Sequence, residues 1–402
     1  MCIRDRIAEG ETTHVVLGGG DQDPVRVLGT ITAAGEPVEA EVTLMPAEGG
    51  FPAWTDSVEA DSDGLGQFTL ELEGPGRYAV YVDVPGREMG PREQVVDVPA
   101  VDEYELAVEL FTGAIAGRVY DQDGEPLANA DVNLSIDGSQ GSLDFRSGPF
   151  QDVSTEDDGS YEFSFLEPGT YTVQAGSDSM TFFTGAAGKY GRQRISGLVV
   201  GENERREGVD FHLDEPLAIH GTVVDPQGLP VQDAHVFVHD AGGAVFDRFS
   251  SARSDSTGQF RYQGLSEGSY TLFARSRNRA SRVSPRIDVR AGAGPPEVKL
   301  VLLQSTTLLV SVRLEDQDET AAPGYKLLVT DDAGRQLNGL LSIDSMMEAF
   351  QSSGSQEVRR VGPVAPGTYR ARVTLDDGRV LERTLEAAGE KELPVEIVVE
   401  PE

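Results

Sequence analysis

The chain predicts an all-β protein, a tandem array of four antiparallel Greek-key β-sandwich domains. Three observations carry this reading. A Gly-x-Tyr phrase recurs as Gly76-Arg77-Tyr78, Gly169-Thr170-Tyr171, Gly268-Ser269-Tyr270 and Gly367-Thr368-Tyr369, with the tyrosines 93, 99 and 99 residues apart. A period of that size is too long for a solenoid repeat and fits a seven-stranded sandwich. Around each phrase, apolar residues alternate with polar ones between Asp-, Gly- and Pro-rich turns, the period-2 signature of half-buried strands. A unit of about 95 residues also hides roughly 60% of its chain surface, enough for a core of its own. The boundaries follow as 24–112, 113–214, 215–304 and a divergent 305–402, with 1–23 as a leader plus the remnant of an upstream domain.

Taken in order, Met1-Cys2-Ile3-Arg4-Asp5-Arg6 reads as a leader foreign to the array. Ile7 to Leu17 matches the phrase that closes the later units, such as Val199-Val200-Gly201-Glu202 leading to Val209-x-Phe211-x-Leu213, and is expected to be the last hairpin of a preceding domain. Each unit then opens on a strand with a glycine: Gly29-Thr30-Ile31, Gly117-Arg118-Val119 and Gly221-Thr222-Val223. A turn follows, as in Asp121-Gln122-Asp123-Gly124-Glu125-Pro126 and Asp225-Pro226-Gln227-Gly228-Leu229-Pro230, then a second strand led by Ala40, Ala130 or Ala234. Gly66, Gly159 and Gly258 each end an acidic or hydroxyl-rich turn, and an aromatic stands two residues on, Phe68, Tyr161 and Phe260. These turns feed alternating strands, and a second Gly/Pro turn leads into the Gly-x-Tyr strand. Tyrosine occupies that place in every copy although phenylalanine would fill a core equally well. The hydroxyls of Tyr78, Tyr171, Tyr270 and Tyr369 are therefore expected to bond nearby backbone, as a tyrosine corner does.

Gly-x-Val-x-Asp-x-x-Gly-x-Pro-Leu-x-x-Ala-x-Val, then Asp-Asp-Gly-x-Tyr-x-Phe, then Leu-x-Pro-Gly-x-Tyr, resembles the carboxypeptidase regulatory-like domain. The second and third units carry the pattern fully and the first less so. In the fourth, Ser311 replaces the opening glycine, Gly324 the alanine, and Ala365-Pro366-Gly367-Thr368-Tyr369 bears the likeness. The resemblance implies a transthyretin-like (prealbumin-like) sandwich, related to Cna-B-type stalk domains.

Charge and composition exclude several functions. A formal net charge of −35 argues against nucleic acid and anionic membrane surfaces as partners. The single cysteine, Cys2, leaves no intrachain disulfide or cysteine metal cluster. No apolar run approaches the ~20 residues that span a bilayer. The candidate sites are few. His212 and Glu215 spell His-x-x-Glu but stand where a strand meets a linker, without the further ligand and base a catalytic zinc needs. His220, His235 and His239 are expected on solvent-facing strand positions. The acidic pairs Asp61/Asp63 and Asp121/Asp123 have calcium-ligand chemistry, although Asp and Gly are also what tight turns select. The aromatics Phe51, Trp54, Phe182, Phe183 and Tyr190 lie in long loops, where ligand-contacting residues concentrate.

The reading these features support is a non-enzymatic, extracytoplasmic repeat protein of bacterial type, periplasmic, cell-surface or secreted. It would act as spacer and interaction module, without cofactor, meeting protein or glycan at the cell surface. A carbohydrate-binding array, or an accessory segment of a larger secreted hydrolase, are the alternatives.

Overall fold

The computed structural model describes residues 23–47, 57–85, 94–136, 150–176, 189–246, 252–314, 325–338, 358–375 and 378–399. The expected hairpin at Ile7 to Leu17 lies outside them. Every element within them is a strand, and the apolar residues gather into four buried clusters in chain order.

The first unit shows the plan. One sheet has Val25–Ala33 at its centre, antiparallel to Gln67–Leu72, and the other has Gly76–Asp83 between Glu41–Pro46 and Gln94–Val98. Side chains alternate accordingly: Phe68, Leu70 and Leu72 point inward while Gln67, Thr69 and Glu71 face water. Period-2 patterning thus places one face of each sheet against the other. The Gly-x-Tyr phrase opens a central strand in all four units, Gly76–Asp83, Gly169–Ala175, Gly268–Ser276 and Gly367–Leu375.

Not every pairing is antiparallel. The opening strand of each unit pairs in parallel with its last strand: Val25–Ala33 with Glu103–Leu110, Gly113–Asp121 with Phe211–Leu213, Leu217–Val224 with Glu297–Gln304, and Thr306–Leu314 with Glu392–Val399. Parallel neighbours need a long crossover, which the opposite sheet supplies. The consequence is directional, since a chain that enters and leaves on parallel strands exits at the end opposite its entry. The next unit starts almost at once, Leu110 being followed by the strand from Gly113 and Gln304 by the strand from Thr306. The two closing strands also separate between sheets, Gln94–Val98 pairing with Gly76–Asp83 and Glu103–Leu110 with Val25–Ala33.

The motif glycine and motif aromatic prove to be one device. Gly29 lies directly across the ladder from Phe68, Gly117 from Tyr161 and Gly221 from Phe260. A Cβ on Gly29 would stand 1.9 Å from the Phe68 ring, so the ring occupies the space a side chain would take. In the fourth unit the same pair is Ser311 and Val358, with both members changed together.

The third unit departs from two separate sheets. A three-residue strand, Arg279–Ser281, pairs on one side with Gly268–Ser276 and on the other with Glu297–Gln304, joining all its strands into one eight-stranded sheet. That strand lies against Val358–Val364 of the fourth unit.

Candidate functional site at the joints between units

The four tyrosines occupy one geometry. Tyr78 donates to Gly74 O at 2.8 Å, Tyr171 to Glu167 O at 2.7 Å, Tyr270 to Ser266 O at 2.9 Å, and Tyr369 to Ala365 O. Each hydroxyl reaches the carbonyl four residues back, across the turn preceding its own strand. Their rings are 2–9% exposed, so neither face is open for stacking on a ligand. Burial pushes the phenols of Tyr171, Tyr270 and Tyr369 up to about 12.

The acidic residues act on backbone. Asp63 Oδ1 accepts from the amides of Leu65 and Gln67, both at 2.9 Å, and Asp121 Oδ1 from those of Asp123 and Glu125 at 2.9 and 3.0 Å. Asp225, Asp240, Asp255 and Asp331 repeat this pattern, accepting from amides two and four residues on. Asp61 ends a short strand, Val58–Asp61, and Asp123 is exposed at a turn tip. Among the described residues no three His, Cys, Asp or Glu side chains converge as metal ligands.

Of the loop aromatics, Phe51, Trp54, Phe182 and Phe183 lie outside the described residues. Tyr190 is half-buried against the core of the second unit, with the Lys189 ammonium 4.9 Å from its ring centre. His212 is exposed and stacks on Tyr120 with ring centres 5.0 Å apart. The expectation for His239 is overturned, because that side chain is fully buried. Sequence periodicity placed it on a strand but could not show that a second unit covers that strand.

The side chains that sequence reasoning missed stand at the joints. Opposite the opening strand, the ladder of the second, third and fourth units is interrupted by a bulge shortly before the corner tyrosine, around Phe165, Gly264 and Pro363. A bulge leaves a residue outside the ladder, free to meet something else. Phe165, at φ 58°, packs against the core of the first unit. Gly264 presents its carbonyl to Arg192 of the second unit, which donates its backbone amide at 3.0 Å and its Nε at 3.1 Å, while Nη2 reaches Gln263 O at 3.1 Å. The Arg192 guanidinium also lies over Phe246 and Tyr262. Beside it, Arg194 bonds Val245 O at 2.8 Å and pairs with Asp240 at 3.5 Å.

The third joint is held from the other direction. Phe237 and Phe273 of the third unit belong to the fourth unit's buried cluster. His239 Nε2 lies 2.6 Å from Gln336 O and Arg275 Nη2 donates to Leu337 O at 2.7 Å. The amide of Gln336 donates in return to Gly243 O at 2.8 Å. Burial pulls the His239 pKa down to about 4, so the ring is neutral at pH 7 and its Nε2–H is the donor to Gln336 O. The segment Asp240 to Val245 is thereby touched by the second unit on one side and the fourth on the other.

The second unit carries a polar groove between Arg118, Glu162, Arg205 and Asp210. Its charges are taken up mutually. Arg205 grips Glu162 through Nη1 and Nη2 at 2.9 and 3.0 Å and Glu207 through Nε at 2.9 Å, and Arg118 meets Asp158 at 3.1 Å.

Residues 114–214 and 218–302 match the family model of the carboxypeptidase regulatory-like domain. No curated protein matches the chain. Among solved structures, the Bacillus anthracis TIE protein is similar at 13% identity and TM-score 0.21, over 95% of this chain and 76% of that one. A streptococcal ancillary pilin is similar at 12% identity and TM-score 0.24, over 70% of this chain and 99% of its own. The major pilin subunit BcpA of Bacillus cereus is similar at 13% identity and TM-score 0.19, over 69% and 98%.

Proposed function

We propose that this chain, whose residues 114–214 and 218–302 are carboxypeptidase regulatory-like domains, is a non-enzymatic structural module: a spacer of stiffly joined β-sandwiches that works outside the cytoplasm and presents its surface to protein or glycan partners. The observation that carries the reading is the construction of the joints. Side chains of one unit hydrogen-bond backbone carbonyls of its neighbour in buried contacts at Arg192, His239 and Arg275. A flexible linker would leave those groups to water, and relative motion is the default where an interface is small and polar. Here, releasing either neighbour would exchange each of these hydrogen bonds for one to water, a net loss of about 0.5–1.5 kcal/mol apiece. The parallel entry and exit strands support the same use, because they carry the chain forward through successive units.

Scanning calorimetry tests the coupling. In the intact chain the second to fourth units should unfold within one cooperative transition. Arg192→Ala should detach the second unit's transition from the rest, and small-angle scattering of that variant should show a broader distance distribution. Separate transitions in the unmodified chain, or an Arg192→Ala profile superimposable on it, would remove the basis for a stiff spacer.

A further inference from the structure

At the third joint the contact between units is not filled. A cavity of about 320 Å³, at the small end of the range for ligand sites (~300–1,000 Å³), opens between them. Its wall combines Ala280, Val283, Leu337, Pro363 and Pro366 with the charged side chains Arg275, Arg282, Asp331, Asp332 and Arg335.

The cations there are incompletely answered. Arg275 is 9% exposed, and its Nε is buried with no hydrogen-bond partner. Its guanidinium spends one donor on Leu337 O and lies over the Phe273 ring at 5.2 Å, but meets no carboxylate among the described residues. Desolvation pulls its pKa down to about 10, with the Tyr369 phenol opposing that shift. Arg282, exposed at the mouth, forms no ion pair among the described residues. Asp331 is already committed, to Arg335 at 2.7 Å and to the amides of its own turn. Among the described residues of the wall, three arginines against two aspartates leave one positive charge in excess, in a chain whose formal net charge is −35. The second joint differs, since the bulged carbonyl of Gly264 takes two donors from Arg192 and closes that contact.

We propose that the cavity between the third and fourth units is a binding site for an organic monocarboxylate, with the carboxylate held by Arg275 and Arg282 and its carbon body against Val283, Pro363 and Pro366. A buried guanidinium is stable when a planar oxyanion meets its fork of donors. A single excess charge matches a monoanion better than a phosphate dianion, and the apolar wall rewards a ligand with hydrocarbon to bury. Because the site is shared by two units, its occupant binds the joined form and stabilises that joint by mass action.

Calorimetric titration of the full chain with benzoate, at fixed ionic strength in chloride, tests this. The expected result is saturable one-to-one binding, with benzyl alcohol and inorganic phosphate each at least about tenfold weaker, the loss of one charge-assisted contact. Arg282→Gln, an exposed change that leaves the fold alone, should weaken benzoate by about tenfold, and Arg275→Met should abolish binding. Should Arg275→Met fail to fold, the Arg282→Gln titration decides. A short peptide with a free C-terminus, set against its C-terminal amide, tells a peptide end from a small acid as the source of the carboxylate. Benzoate no better than phosphate or benzyl alcohol, or unchanged affinity in Arg282→Gln, would overturn the proposal. The calorimetric coupling of units stands or falls without reference to these titrations.

Discussion

The corner tyrosines show how a single hydroxyl can matter to a repeat. Each ring fills the core, and each hydroxyl donates to the carbonyl four residues back, across the turn before its strand. Tyr171→Phe and Tyr270→Phe should therefore each lower stability by about 1–3 kcal/mol, read from chemical denaturation, while leaving the strand pairing intact. A midpoint unchanged in both variants would mean that water serves those carbonyls as well. His239 makes a second residue-scale case, with a sign set by its depressed pKa. In the unfolded chain a histidine gains its proton near pH 6.5, whereas His239 resists it until about pH 4. Between those values the unfolded state binds more protons, so the contribution is complete above pH 6.5 and is lost as pH falls toward 4, by roughly 3 kcal/mol. The charged neighbours Asp331, Asp240 and Arg335 modify that window, and burial dominates it. Stability of the native chain and of His239→Gln, measured from pH 7 to 4.5, should converge as acid is added. Parallel curves would show that the ring does not titrate in this range.

At the scale of elements, the opening strand and the strand after the acidic turn are matched through one cross-strand pair. A glycine facing an aromatic in three units becomes serine facing valine in the fourth, which keeps the filled volume similar while exchanging its source. Gly29→Ser should cost about 1–3 kcal/mol by overpacking against Phe68, and Phe68→Val should cost a similar amount through the cavity it leaves. Combined, the two should recover at least ~1 kcal/mol of their summed loss, because each makes room for the other. A strictly additive double mutant would show that the ring and the glycine are independent. Gly29 suits the test because the three nearest atoms to an added Cβ all belong to the Phe68 ring, which the second substitution removes.

Across the whole molecule, the bulge ahead of the corner tyrosine in the second, third and fourth units turns a strand irregularity into a connector. In the first unit the same position, Leu72, sits in an unbroken ladder opposite Val25. In later units the bulge reaches toward the unit before it, through Phe165 to an apolar core and through the Gly264 carbonyl to Arg192. The third joint adds Phe237 and Phe273, which the fourth unit's core absorbs. The energetic unit is thus larger than the sequence repeat, and the calorimetric coupling expected for Arg192 is the whole-molecule form of that statement.

The sequence by itself determined the strands, their turns and the place of every corner tyrosine, because these follow from local rules. A period of two selects a buried face, Asp and Gly fix tight turns, and a tyrosine conserved through four copies of one phrase signals a hydroxyl in use. Phe68 and Phe260 were legible as core for the same reason. What only the tertiary structure decided is where one unit meets the next. The burial of His239, the stranded Nε of Arg275 and the two-donor grip of Arg192 depend on residues 60 to 100 positions away, brought together where one folded unit packs on the next. Nothing in a strand's own alternation marks which of its polar residues a neighbouring unit will cover. That difference is physical: turn and strand signals are local in the chain, whereas burial at a joint is set by the packing of two folded bodies.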